Sequence, residues 1–182
     1  LSISQIGASD FGYRIAKKFG LNIITTRPAL VGLRVSESER EFYSKLSGIS
    51  NYSLVSYKKA ISFKENILFT HQGLSGPAIL QISSYLPNFE NEEISIDLLP
   101  RFNLIKKFSE IKNEKYTIDF YLKSYLVKRL IDSLKDKFDI TASSINQMKK
   151  EKLGEIASNF HNFKVKIVGS EGYKKAEVTV GG

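Results

Sequence analysis

The chain has 182 residues, room for one domain or two small lobes, and no cysteine, which excludes disulfides, thiolate catalysis and cysteine-held metals. Its 27 Lys and Arg against 19 Asp and Glu give a formal charge of +8, a balance suited to a polyanion or an acidic cofactor. His71 and His161 are its only histidines, so a His-rich metal site is not expected, and neither a bilayer-length apolar run nor a secretory pattern is present, so no membrane partner is expected.

In chain order, residues 9–20 predict a helix. Ser9 or Asp10 caps it, Ile15, Ala16 and Phe19 share a face, and Gly20 ends it. Residues 22–35 alternate loosely and carry Pro28, which predicts one strand or two short ones with a bend, because proline is poorly tolerated in a central strand. Arg27 and Arg34 are candidates for anion contact, Arg34 being the one better read as a surface arginine. Ser36-Glu37-Ser38-Glu39 has the form of a capping box ahead of a short helix with Phe42, Tyr43 and Leu46 on one face. Tyr52–Tyr57 reads as a strand and Ile61–Phe63 as another, with Lys64-Glu65-Asn66 as a turn into the stretch that follows.

The most informative stretch follows, Asn66 to Leu80. Ile67, Leu68 and Phe69 read as a buried strand, Gly73 and Gly76 as a tight turn, and Pro77 as the first residue of a helix capped by Ser75 or Gly76. Ile79, Ile82 and Leu86 form its stripe and Pro87 stops it. A helix start of this kind presents free N–H groups, which favour an anion or the polar edge of a cofactor, and His71 beside it can donate, accept or carry a proton. The plain alternative is an ordinary strand–turn–helix corner with a locally bonded histidine.

Glu93–Leu98 is a half-buried strand closed by Pro100. From 101 to 161 the period changes from about two to about 3.6. Leu104–Ile111 predicts a modest helix and Ile118–Phe138 a long one, with Ile118, Leu122, Tyr125, Leu126, Leu130 and Leu134 on one side. Ser144-x-x-Gln147 has the form of a cap for a further helix with Ile145, Met148, Ile156 and Phe160 inward. Residues 101–160 hold thirteen Lys and Arg against eight Asp and Glu, interleaved with apolar residues as on solvated helix faces. Strands return at Phe163–Ile167 and Ala176–Val180, with Ser170-Glu171-Gly172 as a turn. The expected fold is therefore α+β: an antiparallel β-barrel or sandwich with an inserted small helical lobe. Its parts are residues 1–21 as a junction helix, 22–100 with 162–182 as the barrel lobe, and 101–161 as the helical lobe.

Phe69-Thr70-His71-Gln72-Gly73-Leu74-Ser75-Gly76-Pro77-Ala78 resembles the FTHxGLSGPA signature of the aminoacetone oxidase-like (BaiN-like, YhiN-like) FAD-dependent oxidoreductases. Three further stretches agree: Gly7 to Ala16 with that family's G-A-T-x-x-G-Y-x-x-A, Thr26 to Val31 with its R-P-x-L-V-P, and Ala176 to Gly182 with its A-x-V-T-x-G-G-V. The sequence departs from the pattern at Asp10-Phe11, Leu21 and Gly32, none of which touches the 69–78 run. The resemblance implies a flavoprotein insert domain that covers the FAD and shapes a substrate pocket, with the dinucleotide-binding domain lying before and after it in one chain. It implies FAD as cofactor, NAD(P) as an open further one, a small-molecule substrate, and a cytoplasmic setting. It also implies cofactor- or substrate-facing roles for Thr70, His71, Gly73, Leu74, Ser75, Gly76, Arg27, Gly181 and Gly182. His71 is the one catalytic candidate.

Consistent with this, the chain opens on Leu1 and stops at Gly182 after a strand-like AEVTV, as expected for a piece of a longer protein. It holds no G-x-G-x-x-G after a strand, and Gly73-Leu74-Ser75-Gly76 lacks the G-x-S-x-G spacing of a hydrolase elbow. The piece by itself is expected to be inactive. The competing reading is a basic barrel binding RNA or another polyanion through Tyr52, Tyr57 and Lys58-Lys59; nucleic acid is the less expected partner because no stacking motif is evident. A third reading is an interaction domain that dimerises.

Overall fold

The computed structural model describes residues 1–58, 60–112 and 114–182. Lys59 lies outside the described residues. The first helix, α1 (Phe11–Lys18), runs to Gly20, whose φ of 76° no branched residue would adopt easily. Residues 22–35 form two short strands, β1 (Arg27–Ala29) and β2 (Leu33–Arg34), with the bend at Leu30. Pro28 is tolerated because β1 sits in a two-stranded ribbon.

A 3₁₀ turn at Glu37–Glu39 leads into α2 (Arg40–Leu46). The expected capping box does not form: Ser36 Oγ bonds Ser38 Oγ at 3.0 Å instead of a backbone N–H. β3 (Ser50–Tyr57) and β4 (Ile61–Thr70) make the long central hairpin, in register from Ser50↔Leu68 to Tyr57↔Ile61. Lys64-Glu65-Asn66 is thus not a turn but the middle of β4. Residues 61, 63, 65, 67 and 69 keep one side of the strand through the polar triplet, so the alternation never stops, and Lys64 and Asn66 point outward.

β5 (Gly73–Ser75) folds back on β4, and α3 (Pro77–Ser83) begins at Gly76 as cap with Pro77 in its first turn. β6 (Glu92–Asp97) follows. The helical lobe comprises α4 (Leu104–Glu110), α5 (Ile118–Leu122), α6 (Lys128–Lys137) and α7 (Lys150–His161). The single helix expected over Ile118–Phe138 is two. Val127 is extended (ψ 140°) and starts α6 afresh, while Tyr125 places its ring 4.5 Å from that of Phe102. Ile118, Leu122, Leu126, Leu130 and Leu134 are all buried, but Tyr125, expected on the same side, is exposed at the corner. Ser144 makes no side-chain cap; a 3₁₀ turn (Ile145–Gln147) and an extended Met148 precede α7.

β7 (Phe163–Ile167), β8 (Gly169–Ser170) and β9 (Val178–Val180) complete the chain. Among the described residues the main sheet has the order β7-β6-β3-β4-β5-β2-β8, antiparallel throughout, and β1 pairs with β9 in the ribbon. β7 and β8 stand at opposite edges of that order, yet only Val168 separates them, and its N–H bonds Arg34 O at 3.0 Å. One strand therefore begins on β6 and ends on β2, which requires the sheet to curl until its edges meet. The fold is α+β, an antiparallel barrel with a helical insertion. Phe138 joins the two parts, 5.0 Å from Phe160 and 5.8 Å from Phe163 between ring centres.

Candidate functional site

The run singled out above is a hairpin. Phe69 pairs with Leu74 and Thr70 with Gly73, leaving His71 and Gln72 at the tip. Thr70 Oγ1 accepts the Gln72 N–H at 3.3 Å, Gln72 O accepts Val35 N–H at 3.1 Å, and Ser44 Oγ donates to His71 O at 3.4 Å. The backbone of the tip is thereby held by β2 and α2, while the His71 side chain is exposed, 3.4 Å from the Gln72 amide.

The glycines have a different job from the tip. Gly73 is buried at φ 149°, and a Cβ there would strike the carbonyl oxygen of Leu33. Gly76 sits at φ 90°, and a Cβ would lie 2.8 Å from Leu68 N and 3.0 Å from Asn66 O. The space beside each is filled by the chain's own backbone, so both serve close crossing of main chains. Leu74 is buried, and Ser75 pairs with Leu68.

Arg27, Gly181 and Gly182 gather elsewhere, on the β1–β9 ribbon. Arg27 pairs with Val180 and sends Nη2 to Ser84 O at 2.7 Å, while its buried Nη1 has no partner. Gly182 N–H bonds Ile24 O at 3.0 Å; a Cβ on Gly181 would lie 2.5 Å from Thr25 O and one on Gly182 2.7 Å from the Tyr13 ring. The candidates thus form two groups, and α3 links them: Gly76 opens it, and Ser84, just past its end, holds Arg27. Ser83 adds to the link, its Oγ accepting Val31 N–H at 3.0 Å.

Around the ribbon the surface is apolar. Ile6, Phe11, Phe19, Leu21 and Ile24 are 61 to 81 % exposed, and α1 buries none of its residues. Scattered exposed apolar residues are ordinary, but a contiguous segment of them marks an interaction surface.

Clefts also lie on the far parts of the fold. A groove of about 930 Å³ between α2 and α6 carries Glu41, Lys45, Lys128, Arg129, Asp132, Asp136 and Lys137. Its charges are of both signs and partly paired, with Lys45 and Glu41 2.8 Å apart and Lys137 reaching Glu39 at 3.0 Å. A smaller cleft of about 290 Å³ lies where the barrel meets the corner between α5 and α6, and includes Asn51, Tyr52, Arg101, Phe102 and Tyr125. Of these only Tyr52 is a binding candidate in the sequence, and Tyr125 is expected on the inner side of a helix. Arg101 and Phe102, directly after the strand-ending Pro100, carried no periodic signal of their own. Among the described residues no cluster of His, Cys, Asp and Glu could hold a metal, and no helix is long and apolar enough to cross a membrane.

Comparison with known proteins agrees with this architecture. Over its whole length the chain is similar to the ribosomal RNA dihydrouridine synthase of Escherichia coli (strain K12), 39% identical over 184 residues, and to that of Haemophilus influenzae (strain ATCC 51907 / DSM 11121 / KW20 / Rd), 35% identical. It spans 46% and 45% of those proteins, slightly under half of each. Residues 27–178 match the model of the HI0933-like protein barrel and H2TH domain. The chain belongs to that family.

Proposed function

We propose that this chain is the insert of a flavin-dependent enzyme that reduces uridine in ribosomal RNA to dihydrouridine. The observation that carries the first half is the uncovered apolar segment Ile6 to Ile24: a helix with no buried residue needs a partner surface, and an FAD-binding domain of the same polypeptide supplies one. The family is associated with FAD-dependent oxidoreductases. The second half rests on the activity for which the two relatives are named. It takes RNA, not a small molecule, as the substrate, and the +8 charge suits that partner.

The space on the side-chain face of Gly73 and Gly76 is filled by the chain's own backbone, so the part these two glycines take in our reading is the close crossing of main chains. Arg27, half-buried on the β1–β9 ribbon, is kept as the candidate of this group that faces the partner domain. A bound flavin, recharged by NAD(P)H, supplies the two electrons that saturate a C5–C6 double bond. The insert's share is to wall off the reacting base and exclude water. To His71, at an exposed tip, we assign the carrying of a proton toward that space. Such a protein works in the cytoplasm, where ribosomes are.

The test is made on the full-length protein. It should purify yellow with a flavin spectrum and, given NAD(P)H and ribosomal RNA lacking the modification, add the mass of two hydrogens to a uridine in nucleoside mass spectrometry. A colourless protein that refuses added FAD overturns the flavin assignment; a yellow protein that leaves the RNA unchanged overturns the substrate.

A further inference from the structure

We infer that the 290 Å³ cleft between the barrel and the α5–α6 corner is a docking site for one unpaired nucleobase of single-stranded RNA, with Arg101 on the adjoining phosphate. The inference rests on the RNA reading above and gives that reading a place on the surface. Four observations carry it. First, the cleft is sized for a single base, at the small end of the range for ligand pockets. Second, Arg101 is the one charged residue among those lining it, whereas the larger α2–α6 groove mixes four Lys and Arg with three Asp and Glu. Third, its walls offer π faces. Tyr125 is 43 % exposed with its ring 4.5 Å from Phe102, and the Arg101 guanidinium lies 4.6 Å from the Tyr52 ring centre. Bases stack on such faces whatever their identity, and a guanidinium resting over a ring still has N–H donors for a phosphate. Fourth, Asn51 sends its Nδ2 to Leu98 O at 3.0 Å and Ser53 Oγ at 2.9 Å, which fixes the amide and leaves its carbonyl oxygen as an acceptor for a base N–H.

The break in the expected long helix is what opens the cleft. A continuous helix through Ser124 and Val127 would carry these residues up the helix face instead of turning them to the barrel rim, where both line the cleft with Asn51 and Tyr52.

The experiment uses the full-length protein and a fluorescein-labelled oligouridylate of about twelve nucleotides, a length matched to one barrel-sized binding site, with affinity read by anisotropy at fixed salt. Arg101→Glu and Tyr125→Leu should each weaken binding by about tenfold or more, with flavin content and circular dichroism unchanged. Lys166→Glu, an equal change of charge on the exposed side of β7, should weaken it by less than about threefold. If the two cleft variants bind like the parent, or if all three lose affinity equally, the cleft is not the site and the RNA reading survives. If the parent protein itself does not bind, the RNA reading falls and the cleft with it. Should Tyr125→Leu lose its fold, Arg101→Glu, at an exposed position, decides the question alone.

Discussion

His161 Nδ1 stands 2.9 Å from Asp97 Oδ1, while its Nε2 receives the backbone N–H of Leu104 at 2.9 Å. The second bond sets the tautomer: Nε2 must be the acceptor, so Nδ1 carries the hydrogen and donates it to Asp97. The same Asp97 oxygen accepts the Leu99 N–H at 2.8 Å. One imidazole thus ties the end of β6, the start of α4 and the last residue of α7. His161→Leu leaves the Leu104 N–H and the Asp97 carboxylate without this partner and should cost about 1–3 kcal/mol locally. Amide hydrogen exchange in the full-length protein should show Leu104 and its neighbours losing protection, with the β3–β4 hairpin unaffected.

Gly76→Ala and Gly73→Ala should destabilise the protein whether or not a flavin is bound. Each adds a side chain at positive φ, worth about 1–3 kcal/mol, and each drives a methyl into backbone. Melting curves with and without FAD should shift down together. A loss seen only in the flavin-bound form would mean that the glycines serve the cofactor and not the chain crossing.

Tyr43 is fully buried and its hydroxyl has no hydrogen-bond partner. Burial first, then the charge of Glu39, pushes its phenol above the ordinary value. Folded Tyr43 therefore keeps its proton at alkaline pH while unfolded Tyr43 gives it up. Its contribution to stability is intact below pH 10.0, the unperturbed value, and falls above it by up to about 1.4 kcal/mol per pH unit. Tyr43→Phe should raise stability by about 1 kcal/mol at neutral pH, and the gain should widen as pH climbs. Denaturation curves across that range check both statements.

His71→Ala should leave the melting temperature within about one degree, since exposed substitutions seldom matter to stability, and should alter turnover or the flavin spectrum of the full-length protein. If neither moves, His71 has no part in the chemistry.

Phe19→Glu, on the exposed face of α1, should loosen the insert from its partner domain and lower flavin retention. Fluorescence of released flavin after gel filtration measures it. Retention equal to the parent's would show that α1 faces solvent in the whole protein.

Local rules read well in this chain because they need only neighbours. Gly76 as cap and Pro77 in the first turn are where proline chemistry puts them, and the alternation of Phe163, Val165 and Ile167 appears as the buried side of β7. What failed was local signal without a local cause. Lys64-Glu65-Asn66 has turn composition, yet its partners Leu54, Ser53 and Tyr52 hold it in the ladder. Ser36 and Ser144 stand at capping-box spacing, but both are followed by 3₁₀ turns, whose tighter winding misplaces the N–H groups. The candidate site was legible as a set of residues, not as an arrangement. That Leu33 crosses Gly73, or that Arg101 meets Tyr52, depends on segments far apart in sequence.

The strand from Phe163 to Ser170 that closes the barrel has a consequence for synthesis. Ile96 must wait for Phe163, and Leu33 for Ser170, so the wall stands as an open trough while the ribosome delivers all four helices of the insertion. Those helices have to become compact before the last plank arrives, since Phe138 and Phe160 form the surface on which Phe163 lands. Sealing is a late event, and damage to the helical lobe should be felt first as a nascent chain that stays soluble only with a chaperone's help.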